Sequence, residues 1–507
     1  MDMFANLALG FSEAFAMQNL LYCFFGVFLG TFIGVLPGIG PLATISMLLP
    51  LTFYVPPTAA LVMLAGIYYG AQYGGSTASI LMNLPGTPAA AVVCLDGYPM
   101  AKQGRAGVAL FMTTVASFVG STIGIIILTA FSPTLASVAL AFGPADYFSM
   151  MLLGLVAAAA LAQGSPAKGI SMVLVGLALG MVGTDVQTGQ QRFTFDIPQL
   201  ADGLNLVAVA MGLFGVSEVI TSIMRMRDVN KQKQERITMR SMLPKKDDVK
   251  QSWGAMLRGS GVGSFFGTLP GAGTTIASFI AYAVEKRVTR TPERFGKGAI
   301  EGISAPESAS NASAQTAFIP TLTLGIPGDA VMALMLGAMI IQGIQPGPRL
   351  VTEHPELFWG LIASFWIGNV MLVILNIPMI GLWVRMLRIP YGILYPSILL
   401  FICIGVFSVN NSAFDVLLVM IFGIVGYVML LLKFEPAPLI LGFILGPLME
   451  EHLRRAMLLS RGDPSVFVER PISASFLALT FALLAWSIYS MIKQTRAQRR
   501  ALAAARA

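Results

Sequence analysis

The segment "GVFLGTFIGVLPGIG", residues 26–40, interrupts an apolar run with Pro-Gly-x-Gly, the residue types that most readily break a helix. No Asp, Glu, Lys or Arg occurs between Glu13 and Asp96, so this break falls in a stretch suited to a membrane interior. The pattern returns as "GSGVGSFFGTLPGAG", residues 259–273. The identical pairs are Gly26/Gly259, Gly30/Gly263, Phe32/Phe265, Gly34/Gly267, Leu36/Leu269, Pro37/Pro270, Gly38/Gly271 and Gly40/Gly273. The chain is therefore predicted to be an internal duplication.

The composition is that of a membrane protein. Of the 507 residues, 56% are hydrophobic and 11% are charged, whereas a soluble domain carries about 25% charged residues. Several later apolar runs approach the roughly 20 residues that a helix needs to cross a bilayer. The sequence thus predicts an all-α polytopic membrane protein. No basic residue precedes Lys102, which argues against a cleavable signal peptide with a basic start.

Other classes of site find little support in the composition. The three cysteines and two histidines are scattered, so neither a disulfide framework nor a metal site is expected, and no cofactor is expected. The formal charge of +7 comes from Lys and Arg in loops and at the C-terminus, which indicates positive-inside topology and not nucleic-acid binding. With no embedded histidine and no convincing pair of nucleophile and base, an enzyme is not expected.

Basic segments set the predicted topology. Residues 225–257 form a linker rich in Lys and Arg, and the C-terminal tail has the same character, so both are predicted to lie in the cytoplasm. The first twenty residues contain no Lys or Arg. They are predicted to begin outside, as an interfacial amphipathic helix.

Each Pro-Gly break is predicted to be the tip of a re-entrant helical hairpin. In the second hairpin, residues 258–284, the apolar pieces around the tip are each near a dozen residues, too short to span, and a basic loop follows them. That hairpin should enter from the cytoplasm. The first hairpin, residues 20–53, follows an acidic N-terminus and ends in an uncharged segment, so it should enter from outside.

Counting crossings between these anchors predicts two inverted-topology repeats and an extra C-terminal helix. The crossings lie near residues 59–93, 107–130, 146–162, 168–182 and 205–224, then 312–345, 357–388, 392–408, 414–432, 436–449 and 472–491. The repeats are residues 1–224 and 258–450, and residues 451–507 hold an extracytoplasmic loop, the extra helix and a basic cytoplasmic tail. Four arginines in residues 450–470 fit an outside loop poorly.

Broken helices mark the predicted site. A second repeated motif pairs "SILMNLPGTP", residues 79–88, with "TLTLGIPGDA", residues 321–330. The two copies lie in long segments, residues 59–93 and 299–345, that are predicted to be broken helices. Non-helical backbone at membrane depth persists only where protein buries it or water reaches it, so the four breaks indicate a cavity. Carbonyls before each break suit a cation, and N–H groups after it suit an anion. The candidate substrate- or ion-binding residues are Pro37, Gly38, Ile39, Gly40, Thr44, Asn83, Pro85, Gly86, Thr87, Pro270, Gly271, Gly273, Thr274, Thr275, Asn311, Thr323, Gly325, Pro327, Gly328 and Asp329.

Two features near the breaks allow more than one interpretation. The hydroxyl and amide side chains could bind a ligand, or could bond only to their own helix or to a neighbouring one. Glu307 and Asp329 are acidic, and burying either alone costs about 2.5–3.5 kcal/mol, which favours a cation or proton partner. The alternative for them is a loop or interface position. The tandem glycines of residues 26–34 and 259–267 are predicted to serve close helix packing.

Longer motifs carry a family resemblance. They are "GVLPGIGPLATISMLLPLTF", "YYGAQYGGSTASILMNLPGTP", "LDGYPMAKQGRAG", "GTLPGAGTTIASFIAYAVEKR", "FGKGAIEGISAPESASNASAQTAFIPTLTLGIPGDAVMALMLGAMIIQGIQPGP" and "FEPAPLILGFILGPLMEEHLRR". Together they cover nearly the whole chain and resemble the large membrane subunit of the tripartite tricarboxylate transporters, the TctA family of bacteria.

The resemblance implies a secondary active transporter of the bacterial inner membrane, working by alternating access and symport with Na⁺ or H⁺. It implies a carboxylate substrate, such as citrate, another di- or tricarboxylate or a related organic acid. The implied partners are a periplasmic solute-binding protein, a small four-helix membrane subunit and membrane lipid. A stand-alone organic-anion transporter and a passive channel are the alternatives. Rings of like charge or a continuous polar stripe would favour a channel, and neither is visible in the sequence.

Overall fold

A computed structural model describes residues 3–36, 40–139, 141–161, 165–185, 188–225, 239–269, 273–347, 349–387 and 391–504. The helices of the first half are α1 Met3–Ala14, α2 Met17–Val35, α3 Pro41–Thr52, α4 Pro57–Met82, α5 Cys94–Lys102, α6 Ala106–Ala139, α7 Pro144–Leu161, α8 Pro166–Gly180, α9 Leu206–Ala210 and α10 Ser217–Arg225. Strands β1 Gly183–Thr184 and β2 Gln191–Arg192 form an antiparallel ladder, a 3₁₀ turn spans Pro88–Ala91, and a π-helical turn spans Met211–Val216.

Among its described elements, the second half adds a 3₁₀ turn at Pro292–Arg294 and otherwise only α-helices. They are α11 Met239–Met242, α12 Lys246–Gly267, α13 Gly273–Val288, α14 Glu301–Thr316, α15 Phe318–Leu324, α16 Ala330–Ile341, α17 Leu350–Glu353, α18 Pro355–Asn376, α19 Ile380–Met386, α20 Tyr391–Asn410, α21 Ala413–Leu431, α22 Ala437–Leu459, α23 Val466–Glu469 and α24 Pro471–Ala504. The predicted all-α membrane fold is confirmed.

Six helices of the described chain are long and apolar enough to cross a membrane. They lie at Met17–Val35, Ala106–Phe131, Leu206–Met224, Pro355–Asn376, Ala413–Leu431 and Pro471–Tyr489. Five coincide with predicted crossings, and the first is α2, the leading arm of the predicted first hairpin. The other predicted crossings fall on shorter apolar helices, on helices interrupted by Pro-Gly, or on α22. The opposite orientation of the two repeats stays a prediction.

The chain folds into two compact units that differ from the sequence repeats. Unit 1 comprises Met1–Ala139 and Val207–Tyr427, and unit 2 comprises Leu140–Leu206 and Val428–Ala507. Each unit therefore contains residues from both halves of the duplication. Both predicted hairpins and all four Pro-Gly breaks fall within the ranges of unit 1, so the candidate site belongs to that unit.

Glycines let the leading arm of each hairpin pack closely on the long helix that follows it. In the first half α2 meets α4, and in the second half α12 meets α14. The glycine-to-carbonyl contacts are Gly26–Met63, Gly30–Ile67 and Gly34–Ala71 in the first half, and Gly259–Ala305, Gly263–Ala309 and Gly267–Ser313 in the second. A Cβ at any of these glycines would overlap the partner carbonyl oxygen. The predicted packing role of these glycines is confirmed.

Helix α12 begins earlier than the sequence predicted. It starts at Lys246, inside the predicted linker, and runs for 22 residues, so its arm is longer than the dozen or so residues predicted for it. Asp248 accounts for this start, because its carboxylate accepts the Lys245 backbone N–H at 3.0 Å and pairs with Arg105 at 2.5 Å. An acidic side chain in the first turn stabilises the helix N-terminus. Residues 226–238 of the linker lie outside the described residues.

In unit 2, close backbone packing joins α8 to α22. Gly176 of α8 lies against the backbone of Leu439, and Gly442 of α22 lies against that of Val173. Helix α7 contacts α24 through a 2.7 Å hydrogen bond between the Ser149 and Ser473 hydroxyls. The extra C-terminal helix is thus part of the packed unit.

Ion pairs tie the strand ladder of unit 2 to the end of α22. Arg454 pairs with Asp185 at 2.9 Å and with Glu450 at 2.6 Å, and Arg192 pairs with the same two acids. We call these four residues the ladder cluster. Two further arginines of residues 450–470 are paired, Arg455 with Glu451 and Arg470 with Asp146. Three of the four arginines that fit an outside loop poorly therefore have an acidic partner within the fold.

Candidate functional site

The two broken helices end and restart in the same way. Helix α4 ends at Asn83 and α15 ends at Gly325, both in the left-handed conformation, with φ of 57° and 70°. The proline that follows cannot continue a helix, and the next segment begins with a capping side chain. Thr87 accepts the N–H three residues on at 3.3 Å, and Asp329 does so at 2.9 Å. One cap is neutral and the other is a carboxyl group.

Each break packs against the end of the leading arm of its own hairpin. A Cβ at Gly86 would overlap the carbonyl oxygen of Gly34, and one at Gly328 would lie 3.2 Å from the carbonyl oxygen of Gly267. Gly34 and Gly267 are matched positions of the sequence duplication. Both breaks therefore lie where the leading arms approach their tips.

The second arm of each hairpin contacts the broken segment of the other half. The Ser278 hydroxyl of α13 donates to the Ala89 carbonyl, in the turn after the first break, at 3.0 Å. Gln342, at the end of α16, donates its amide N–H groups to the carbonyls of Thr52 and Val55 at the end of α3. We call these the crosswise contacts. They interlock the two halves within unit 1.

One face of α4 brings the parts of the site together. Tyr68, Gln72 and Ser76 follow one another at four-residue spacing, which places them on the same side of the helix. Their partners are, in order, Asp329 at the second break, Thr274 beside the second tip and Glu307 of α14. The sequence analysis missed Tyr68 and Gln72. The signal available was the regular spacing of polar residues in an otherwise apolar helix.

Asp329 is partly buried at the N-terminus of α16. Its carboxyl oxygens accept the Tyr68 hydroxyl at 2.5 Å and the Met332 N–H at 2.9 Å. Gly273, the first residue described after the second tip, adopts φ of 59°, and a Cβ there would lie 3.3 Å from the Asp329 Cβ. Gly273, which follows the second tip in the sequence, thus lies beside the second break at Asp329. No basic side chain pairs with this carboxyl group among the described residues.

Glu307 lies deeper, with 2% of its surface exposed. It accepts the Ser76 hydroxyl from α4, the Ser117 hydroxyl from α6 at 2.7 Å and the Asn311 amide N–H at 3.3 Å. Asn311 also donates to Ser117 at 3.0 Å. We call Glu307, Ser76, Ser117 and Asn311 the Glu307 cluster. Within the part of the chain that the structure describes, this cluster also contains no basic side chain.

The remaining candidates have mixed surroundings. The Thr44 hydroxyl donates to the Gly40 carbonyl and the Thr323 hydroxyl to the Ile319 carbonyl, four residues earlier in each case. Both contacts agree with the alternative that such side chains bond to their own helix. Thr275 is partly buried, Asn83 and Pro85 are exposed, and Pro327 is buried. Pro37, Gly38, Ile39, Pro270 and Gly271 lie outside the described residues, so the tips themselves carry predictions only.

Asp96 is a further residue that the sequence analysis did not select. Its fully buried carboxylate accepts the N–H groups of Gly296, Gly298 and Ala299 at 2.8–2.9 Å, and its second oxygen accepts the Tyr282 hydroxyl at 2.9 Å. Asp96 thereby joins the segment after the first break to α13 and to the loop before α14. It anchors the second hairpin to the first half of the chain.

The fold and the site define a multi-pass membrane protein with broken helices, and in its described part the carboxyl groups of Asp329 and Glu307 have no basic partner. The sequence profile of the Tripartite tricarboxylate transporter TctA family matches residues 20–441, and the chain belongs to this family. The resemblance carried by the motifs is thereby confirmed. The family provides the large subunit of tripartite transporters, which work with two partner proteins.

Two relatives come from Agrobacterium vitis. An uncharacterized 52.8 kDa protein in the TAR-I ttuC′ 3′ region is 51% identical over 496 residues, covering 98% of this chain and 98% of the relative. An uncharacterized protein in the TAR-II ttuC′ 3′ region is 57% identical over 236 residues, covering 46% of this chain and 98% of that relative. No solved structure gives a significant match.

Proposed function

We propose that this chain is the transport subunit of a bacterial inner-membrane importer for di- or tricarboxylates or related organic acids. It receives its substrate from a periplasmic binding protein, works with a small four-helix membrane subunit and is driven by an ion gradient. The observation that carries the proposal is the meeting of the start of α13, the second break and the polar face of α4 around Asp329. Membership of the family supports the tripartite assembly.

Helix N-termini near the hairpin tips are the proposed substrate positions. Helix α3 begins at Pro41, and its N-cap residue Gly40 has no side chain to cap it, so the N–H groups of Leu42 and Ala43 in the first turn can receive a carboxylate. Asp329, in contrast, already places a carboxyl group at the N-terminus of its own helix. A second anion there would be repelled. We therefore place the substrate carboxylates at the start of α3 and near the neutral cap of Thr87.

The coupling ion, Na⁺ or H⁺, is proposed to neutralise Asp329 and Glu307. An uncompensated charge in the middle of a membrane helix costs about 2.5–3.5 kcal/mol, so either group in its ionised form favours a cation beside it. Neutralising these groups also removes their repulsion of an organic anion. Ion and substrate therefore bind more tightly together than separately, which is the requirement for symport.

Reconstitution tests the proposal. The purified chain and its small subunit are placed in proteoliposomes, the cognate binding protein is loaded with a labelled carboxylate outside, and an inward Na⁺ or H⁺ gradient is imposed. Uptake is expected only when the binding protein and one of the two gradients are present. A thermal-shift screen of carboxylates on the binding protein identifies the substrate to use.

Two other results would favour the alternatives. Uptake by the chain alone, without binding protein, would contradict the tripartite proposal and favour a stand-alone organic-anion transporter. Flux that needs no gradient and does not saturate with substrate would favour a passive channel.

A further inference from the structure

We propose that the Glu307 cluster is a sodium site, in which Glu307, Ser76, Ser117 and Asn311 supply the oxygen ligands. The inference rests on the proposed ion-coupled transport and names the ion and the residues that hold it. The cluster draws on three helices: α4 contributes Ser76, α6 contributes Ser117, and α14 contributes the other two. Binding of an ion there would join both halves of the duplication.

The ligand chemistry of the cluster fits a small hard cation. Carboxylate, hydroxyl and amide oxygens are the groups that such cations prefer, and all four side chains of the cluster are at most 2% exposed. The described residues contain no group of three or more His, Cys, Asp or Glu side chains placed to hold a metal ion. A single carboxylate balances one positive charge. The cluster therefore fits a monovalent cation better than a divalent one.

The hydrogen bonds around Glu307 can accommodate an ionised carboxylate. Three donors point at its two oxygens: the hydroxyls of Ser76 and Ser117 and the amide of Asn311. The Ser76 and Ser117 hydroxyls can each donate to an ionised carboxylate or accept from a protonated one, so the carboxyl group can be balanced by a cation or by a proton. None of the described contacts of Glu307 brings a basic side chain to balance the charge. A bound cation supplies that balance.

Asn311 provides an independent indication of a ligand. Its side chain is fully buried, and its Oδ1 has no hydrogen-bond partner among the described residues. Its Nδ2 meanwhile lies 3.0 Å from Ser117 Oγ and 3.3 Å from Glu307 Oε1. A 180° rotation of the amide exchanges the nitrogen and the oxygen. Before the rotation, Nδ2 also donates to the Glu307 backbone carbonyl at 3.0 Å. Binding of a cation between Glu307 and Ser117 would exchange these three hydrogen bonds for coordination by the otherwise unpartnered Oδ1.

Comparison of the two halves shows that packing does not require this cluster. In the matched pairs Met63/Ala305 and Gly86/Gly328, the second-half residue follows its first-half counterpart by the same number of residues. Counting back from Glu307 by that number gives Ala65 of α4, which is therefore its matched position. The same separation places Tyr69 at the position of Asn311, and Tyr69 packs edge-on against Phe365 of α18. The duplicated fold thus fills the equivalent place with apolar and aromatic groups. The carboxylate in the second half has another role.

Sodium binding can be measured on the purified full chain without transport. Thermal unfolding is recorded in detergent with NaCl, KCl or choline chloride at equal ionic strength, and ²²Na⁺ binding is measured directly. Sodium is expected to raise the melting temperature of the wild type, and Glu307→Gln is expected to abolish both the shift and the binding. Ser117→Ala should weaken sodium binding on the order of ten- to hundredfold, the effect typical of lost support at a metal site.

Ser304→Ala is the matched control. Ser304 is also a fully buried hydroxyl on α14, but it donates only to the Ile300 carbonyl of its own helix at 2.8 Å. Its replacement should leave sodium binding unchanged. If Glu307→Gln cannot be purified in folded form, Ser117→Ala and Ser76→Ala decide the matter, since each removes one ligand and no charge.

The outcomes separate this inference from the proposed function. A wild type that shows no sodium-specific shift or binding overturns the sodium site, and so does unchanged sodium affinity in Ser117→Ala and Ser76→Ala. In that case, uptake driven by a proton gradient would leave the proposed transport intact. Sodium binding with the expected variant pattern but no binding-protein-dependent uptake would instead support the site and contradict the proposed function.

Discussion

Thr87 and Asp329 occupy matched positions in the two breaks but carry different charges. Both cap the segment that follows, because a side-chain oxygen accepts the N–H three residues on. The neutral hydroxyl leaves the positive end of its segment available to an anion, whereas the carboxyl group of Asp329 neutralises that end. This single difference makes the two breaks asymmetric in charge, as the proposed placement of an anion at the first and a cation or proton at the second requires.

The hydrogen bond from the Tyr68 hydroxyl to the Asp329 carboxyl group is expected to support uptake. In Tyr68→Phe the carboxyl group keeps only the Met332 N–H, so about 1.5–3 kcal/mol of a charge-assisted hydrogen bond is lost. Binding-protein-dependent uptake should fall roughly tenfold or more, since 1.4 kcal/mol corresponds to about a factor of ten. Tyr69→Phe is the matched control, because the contact described for its hydroxyl is a long one, to the Cys23 sulfur at 4.0 Å. Equal uptake by the two variants would argue against a role for Tyr68.

Gly86 tests the packing of the first break. A methyl group in Gly86→Ala would overlap the Gly34 carbonyl oxygen, and overpacking of this kind typically costs about 1–3 kcal/mol. The variant should unfold at a lower temperature in detergent than the wild type. Gly261→Ala on α12, where a Cβ would meet nothing within 4 Å, should unfold at or slightly above the wild-type temperature. A Gly86→Ala protein as stable as Gly261→Ala would show that the break can shift.

The two hairpins differ in how their bases are held. In the second hairpin, Arg258 of α12 makes two hydrogen bonds of 2.7–2.8 Å to Glu285 of α13, and Tyr282 reaches Asp96. In the first hairpin, α3 is held at its end by the uncharged amide of Gln342. The second hairpin is therefore the more firmly anchored element in the described contacts.

Asp96 should hold the anchored hairpin. In Asp96→Asn the amide cannot accept all of the hydrogen bonds that the carboxylate accepts, and an unsatisfied buried donor costs about 1–3 kcal/mol. Hydrogen exchange should quicken in α13 and in residues 296–301, with little change in α2. Asp247→Asn, at an exposed position near the start of α12, is the control. Unchanged exchange in residues 296–301 would refute the anchoring role.

The ladder cluster should weaken in acid. Hydrogen bonding to Arg192, together with the charges of Arg192 and Arg454, lowers the pKa of Glu450 from its usual value of 4.5. A lowered pKa in the folded state means that the stabilisation is present at neutral pH and is lost as the pH falls through the lowered pKa. The protection of β1 and β2 against hydrogen exchange, taken relative to the intrinsic exchange rate at each pH, should therefore persist at pH 5 and fall below about pH 4.5.

Glu450→Gln gives the comparison for this pH effect. The difference in exchange between wild type and variant should be largest near neutral pH and should vanish in acid. Glu451→Gln, which removes only the pairing with Arg455, should behave as the wild type does in the strands. A difference that grows as the pH falls would contradict the assigned sign.

At the scale of the whole molecule, the sequence predicted the helices and their breaks better than the contacts between them. Identity between residues 26–40 and 259–273 located the breaks, and proline and glycine chemistry explained why the helices stop there. Tyr68, Gln72 and Asp96 could not be selected in this way, because their partners lie in the other half of the chain. Local pattern likewise could not show that Thr44 and Thr323 donate to their own helices.

The crosswise contacts predict that the halves depend on each other. If the chain is cut within residues 226–238, the two pieces produced together should copurify and unfold in one transition near that of the intact protein. Each piece produced alone should aggregate, because α3, α13 and the broken segments lack their partners. A single half that is monodisperse and unfolds cooperatively would contradict this dependence.

The crosswise contacts also set an order of events during synthesis. The first break and α3 leave the ribosome well before α13, which begins at Gly273, and α16, which begins at Ala330. Until those helices arrive, the carbonyls of Ala89, Thr52 and Val55 lack the donors that the second half supplies, and an unpaired backbone group is costly in lipid. The nascent first half must therefore be shielded, by the insertion machinery or by the headgroup region, until the second half is made.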